Sequence, residues 1–178
     1  MTTRRPLDLS QPINGTDHVL GHAHAPIKIV EYGDFECPTC KQAAPTVKLL
    51  LERFDGKILF AYRHFPLESI HPHALRAAEA AECAAAQGHF WPMHDLLFAN
   101  QTHLDLTHLA AYADRLDLDH AKFTAEMDDE IYLQRIREHI ESGLSSHLRA
   151  TPGFYVNGVI VDVSFGLQSL FDAVEAAL

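Results

Sequence analysis

The chain is poor in basic residues. Its 14 lysines and arginines face 24 aspartates and glutamates, a formal net charge of −10 in 178 residues. A protein that grips a phosphate backbone needs a concentrated basic face, so nucleic-acid binding is not expected. Long apolar runs are also missing. The best of them, around Ala77 to Ala86, is broken by Glu79 and Glu82 and falls short of the roughly 20 apolar residues that cross a membrane. The opening stretch from Met1 to Leu20 carries Arg4, Arg5, Asp8 and Asp17 with Pro and Gly between them. It lacks the apolar segment of roughly 7 to 15 residues that marks an export signal. A cytoplasmic location without membrane attachment is therefore the expectation. Cysteine is scarce too. Three cysteines make no disulfide scaffold, and two of them, Cys37 and Cys40, stand three positions apart, a spacing that points to catalysis or metal.

What is present is a chain 47% hydrophobic, enough for one substantial core. Residues 1–21 are polar and without period, with Pro6, Pro12 and Gly15, and read as an N-terminal extension laid on a domain spanning 22–178. Ile27 to Tyr32 is a β-branched run of strand length, and Ile58 to His64 is a second. Between them a helix opens at Cys37-Pro38-Thr39-Cys40, where Pro38 suits the first turn, and Pro45 further along should kink it. Strand, helix and strand in this order form a βαβ unit with parallel strands. From about residue 72 to 148 the pattern turns helical. Its segments are an Ala-rich helix stopped by Gly88, one from Trp91 to Asn100, one capped by Thr107, one capped by Asp119, and a last one with Ile136, Ile140, Leu144 and Leu148 as its stripe. Strand character returns at Phe154 to Val156, turns at Asn157-Gly158 and continues through Val161 as a hairpin before a final helix. The fold class is α/β, with an all-helical insertion.

A cysteine pair opening a helix answers a chemical need. The attacking sulfur must be a thiolate near neutral pH, and unpaired N–H groups with the positive end of the helix dipole favour an anion at Cys37. Cys40, one turn in, is close enough for the pair to close on itself, since a disulfide needs Cα atoms about 4.4–6.8 Å apart. Two other readings stay open: half of a zinc site, for which only Cys83 and histidines such as His22, His24, His71 and His73 remain, and a pair of inert core thiols. Cys83, among small residues on a helix, reads as a packing thiol.

These segments resemble the DsbA-like thioredoxin-fold proteins. The likeness runs through Val30 to Cys40, Arg63-His64-Phe65-Pro66-Leu67, His71-Pro72, Ala78 to Ala81, Gln87-Gly88, Phe90 to Phe98 and Thr151 to Gly158. It implies a thioredoxin core interrupted by the helical segment and makes Pro152 the cis-proline that faces the active site. Thr151 before it would pair its backbone with an extended client, with Pro38 and Thr39 completing the substrate surface. Glu31 matches a position where the family often carries an acid under the active site. Buried there it would have a raised pKa and relay a proton for Cys40; a strand-edge glutamate in water is the competing reading. The chain departs from the family at Ala150, at Gly153 and over Val161 to Phe165, which bears on the substrate groove.

The function that follows is thiol-disulfide exchange with protein or peptide clients: Cys37 as nucleophile, Cys40 as resolving thiol, Glu31 as proton relay, Thr151 and Pro152 as platform. No cofactor and no metal are expected, and an unidentified redox partner would recycle the pair. The alternative is a non-catalytic binding module, either a thiol-linked metal site or a chaperone-like holder of unfolded chains.

Overall fold

The computed structural model describes residues 7–178, so the first six residues of the expected extension lie outside the described residues. The chain joins the sheet earlier than its sequence suggests. His18–Gly21 is strand β1, a half-buried edge strand. Its four residues turn a histidine and a leucine inward, too short and too polar a pattern to stand out from an arm. Strand β2 (Ile27–Gly33), helix α1 (Pro38–Arg53) and strand β3 (Ile58–His64) follow, with β2 and β3 parallel. The helical segment holds α2 (Ala74–Ala85), α3 (Phe90–Ala99), α4 (Leu106–Arg115), α5 (His120–Asp128) and α6 (Leu133–Ser145). The chain closes with β4 (Gly153–Val156), β5 (Val159–Val161) and α7 (Gln168–Ala177). The sheet order is β1-β3-β2-β4-β5, antiparallel at every pairing except β3 with β2. Asn157 and Gly158 sit at positive φ between β4 and β5, as a two-residue hairpin turn requires.

Side-chain alternation divides the core. Ile27, Ile29, Ile58, Phe60 and Tyr62 pack in one cluster with Cys40, Ala43, Val47 and Leu50 of α1 and Leu170 and Val174 of α7. Val30, Tyr32, Ala61 and Tyr155 pack on the opposite face with Phe65 and Leu148, and Leu9 and Ile13 of the arm lie against them. The period of two therefore sends Glu31 to the face of Ile27 and Ile29, beneath α1. Helix α2 contacts α3, α4, α5 and α6, and its alanines are the residues that let four helices approach one axis.

Two details differ from the sequence expectation. Asp105 caps α4, its carboxylate accepting from the His108 N–H at 3.1 Å, and Thr107 is already inside the helix. Helix α6 stops at Ser145 because His147 adopts a left-handed φ of 64°. Leu144 is consequently 62% exposed, whereas Leu148, beyond the helix end, is buried. Helix α1 continues through Pro45 as one helix. Asp119 caps α5 as expected, accepting from the Lys122 N–H.

Candidate active site

The loop from β2 to α1 is shaped by one buried carboxylate. Asp34 accepts from the Glu36 N–H at 2.7 Å and the Leu67 N–H at 2.8 Å, and its Oδ2 stands 2.7 Å from His71 Nδ1. Its backbone carbonyl accepts from the Cys37 N–H. A short-range turn is thereby tied to the chain beyond β3. From the helical segment, Gln101 Nε2 donates to the carbonyls of Phe35 at 2.9 Å and Cys37 at 2.8 Å. Cys37 is held as the N-cap of α1 with extended backbone, and Pro38 occupies the first turn.

The two thiols of this turn occupy different surroundings. Cys37 is 6% exposed and Cys40 fully buried. Both are free thiols, as is buried Cys83. Cys37 Sγ shares a hydrogen bond of 3.0 Å with Thr39 Oγ1 and lies 3.5 Å from the Thr151 carbonyl oxygen, which also accepts from Thr39 Oγ1 at 3.2 Å. The hydrogen bond from the Cys40 thiol is the largest influence on Cys37. Burial opposes it, but with the contacts to Thr151 and Thr39 it brings the Cys37 pKa down from 9.0 to about 5. Burial, and then the hydrogen bond with Cys37, push the Cys40 thiol well above its ordinary value. Near neutral pH the site holds one thiolate and one thiol.

Glu31 lies 2% exposed on a central strand, which removes the reading of a strand-edge glutamate in water. Burial, with the neighbouring Cys37 charge, raises its pKa from 4.5 to about 8. The Thr151–Pro152 peptide bond is cis, and it leads directly into β4, antiparallel to β2. Gly153 has a packing reason: a Cβ there would stand 1.9 Å from Leu148 Cδ1. The space a side chain would take at this position is filled by Leu148. Cys83 is apart from this site, in α2, its pKa pushed up to about 12 by burial. Among the described residues no group of three or more His, Cys, Asp or Glu side chains is arranged to hold a metal ion.

Sequence reasoning overlooked Asp34 and Gln101. Asp34 carries a signal, an Asx-turn residue just before a helix start. Gln101 carries none, because its partners lie more than 60 residues away.

The family model described as Thioredoxin matches residues 13–176, and the chain belongs to that family. Its fold is that of the DsbA-like structures. Oxidised BdbD from Bacillus subtilis superposes with a TM-score of 0.84 at 21% identity, covering 97% of this chain and 98% of that one. The α-DsbA1 of Wolbachia pipientis gives a TM-score of 0.80 at 22% identity over 97% of this chain and 96% of that one. Among sequences, the Na(+)/H(+) antiporter NhaA 1 of Salinispora arenicola is 45% identical over 172 residues, 96% of this chain and 26% of the antiporter. The chain spans about a quarter of the length of the curated relatives it matches.

Proposed function

We propose that this protein exchanges disulfides with protein clients through Cys37 and Cys40. The observation that carries the reading is the contrast between two thiols in one helical turn, one brought down to about 5 and the other pushed up by burial. In the reducing direction, the Cys37 thiolate attacks a client disulfide and one client sulfur leaves as a thiolate. Cys40 then gives its proton to the Glu31 carboxylate, which ionises more readily once the mixed disulfide has removed the Cys37 charge, and attacks Cys37 Sγ. The second client sulfur is released, and two electrons have passed from the pair to the client. The Thr151 backbone offers an edge for an extended client, and Pro38, Thr39 and Pro152 border it. A second dithiol donor must then reduce the pair again. In a glutathione-buffered cytoplasm a pair with so low a Cys37 pKa rests reduced, which favours this direction.

The test is a trap with thiol mapping. Cys37 should alkylate with a midpoint near pH 5, and Cys40 and Cys83 only after unfolding. Cys40→Ala should accumulate mixed disulfides on Cys37. A parent with no low-pKa thiol and a Cys40→Ala variant that captures no client would end the exchange reading.

The relatives favour one partner in particular. Sequence like this chain makes up about a quarter of proteins named as Na(+)/H(+) antiporters, so a membrane sodium/proton antiporter is the client we propose to examine first. The sequence alone suggested no membrane connection. The same Cys40→Ala trap, run in cell membranes, should yield an antiporter adduct that reductant releases. Adducts confined to soluble proteins would remove this partner and leave the exchange reading intact.

A further inference from the structure

Strand register brings one more group to the thiols. Glu31 on β2 is paired with Tyr62 on β3, and Tyr62 packs in the cluster that holds Cys37 and Cys40. Tyr62 is fully buried, and its hydroxyl has no hydrogen-bond partner. Buried tyrosine hydroxyls are ordinarily bonded, because stranding one costs its hydration. The ring is fixed from two sides, stacked on Phe35 at 5.5 Å and meeting the edge of His94 at 4.9 Å. The hydroxyl rests against Gly33, where a Cβ would stand 2.6 Å from it. Only a residue without a side chain admits the phenol to the space under the loop that leads to Cys37.

We propose that the Tyr62 hydroxyl is the hydrogen-bond donor that receives the Cys40 sulfur when it becomes an anion in the resolving step. This rests on the exchange reading above. In the mixed disulfide, the Cys40 proton passes to the Glu31 carboxylate and the Cys40 sulfur attacks Cys37 Sγ. The Cys37–Cys40 bond forms as the bond from Cys37 to the client breaks, and the client sulfur leaves with the electron pair and takes a proton from water. Tyr62 keeps its own proton throughout. Burial, and then the charges of Cys40 and Glu31, push its pKa well above the ordinary value, so it keeps the O–H that can donate to an anion. Asp34 and Cys37 face the same phenol, and His64 and His94 pack on its ring. In the resting dithiol the hydroxyl makes no hydrogen bond with the Cys40 sulfur, and the charge that develops on that sulfur in the resolving step draws the two together.

Tyr62→Phe removes the hydroxyl and keeps the ring. The measurement is the lifetime of a mixed disulfide between Cys37 and glutathione, followed by rapid acid quench from pH 6 to 9. The variant should resolve about tenfold or more slowly, the effect of losing one hydrogen bond to an anionic sulfur, and its pH profile should move upward. Cys37 alkylation should keep its parent midpoint. The thermal midpoint of the reduced variant should stay level or rise, since a stranded hydroxyl is gone. An unchanged lifetime and profile would overturn the proposal. So would a slower resolution accompanied by a lower thermal midpoint and slower Cys37 alkylation, which assigns Tyr62 to packing. A parent that forms no mixed disulfide ends the exchange reading and this one together.

Discussion

At the scale of single residues, Glu31 shows how position sets chemistry. On an exposed strand the carboxyl would titrate near 4.5, whereas burial under α1 raises it to about 8. The folded protein therefore holds a proton there that the unfolded chain has released. Stability from this group is complete below about 4.5 and is lost as pH rises toward 8. Glu31→Gln suffers no such loss, so in the reduced protein its stability advantage should open above pH 4.5 and be complete near 8. Its ceiling is about 4–5 kcal/mol at ~1.4 kcal/mol per pH unit. The same variant should lose the inflection that Glu31 gives the resolving step, which lies below about 8 because the mixed disulfide carries no Cys37 charge. Chemical denaturation across that pH range measures the first effect and quenched-flow the second; parallel stability curves for parent and variant would refute the assignment.

At the scale of elements, the start of β4 is governed by the end of α6. The left-handed His147 turns Leu148 back under Gly153, and this contact decides which residue can follow Pro152. Gly153→Ser should destabilise by about 1–3 kcal/mol, the usual cost of forcing atoms into filled space. Adding Leu148→Ala should recover part of that loss by vacating the space. A denaturant series on the two single variants and the double variant measures the coupling, and additive losses would show that the two side chains do not compete. The sequence carried these elements unevenly. β2, β3 and the helix at Cys37 are written in β-branched runs and in the Cys-Pro-Thr-Cys turn. By contrast, β1 has four residues and an inward histidine, and the end of α6 depends on one backbone angle that no side-chain pattern announces.

At the scale of the whole molecule, the N-terminal arm is locked to the sheet by an ion pair. Arg63 donates from Nε and Nη2 to the two Asp17 carboxylate oxygens, each at 2.8 Å, with both side chains 2% exposed. It also donates to the carbonyls of Gln11 and Pro12 and to the Tyr32 hydroxyl. Burial resists the charge on Asp17, but the Arg63 hydrogen bond prevails and holds its pKa below 3.8. The stability it contributes is present above that value and is lost as pH falls through the folded pKa. Asp17→Asn leaves Arg63 buried and unpaired and should cost about 3–5 kcal/mol. Equilibrium unfolding near pH 7 checks it, and a loss below about 1 kcal/mol, the range of an exposed pair, would show that the arm is not anchored this way.

The sequence alone determined that two thiols share one helical turn, the two parallel strands and the helical insertion, because each depends on neighbours a few residues apart. Cys37 and Cys40 lie in one turn, a strand shows its period of two within its own length, and a helix shows its face within two turns. Tertiary structure alone decided how far the two thiols differ, that Glu31 is buried, and that Asp34, Gln101 and Tyr62 join Thr151 around the pair. Those properties arise where β2, β3, the helical segment and the approach to β4 converge. Desolvation and hydrogen bonding depend on which atoms exclude water from a given point, and those atoms come from residues up to 114 positions away along the chain.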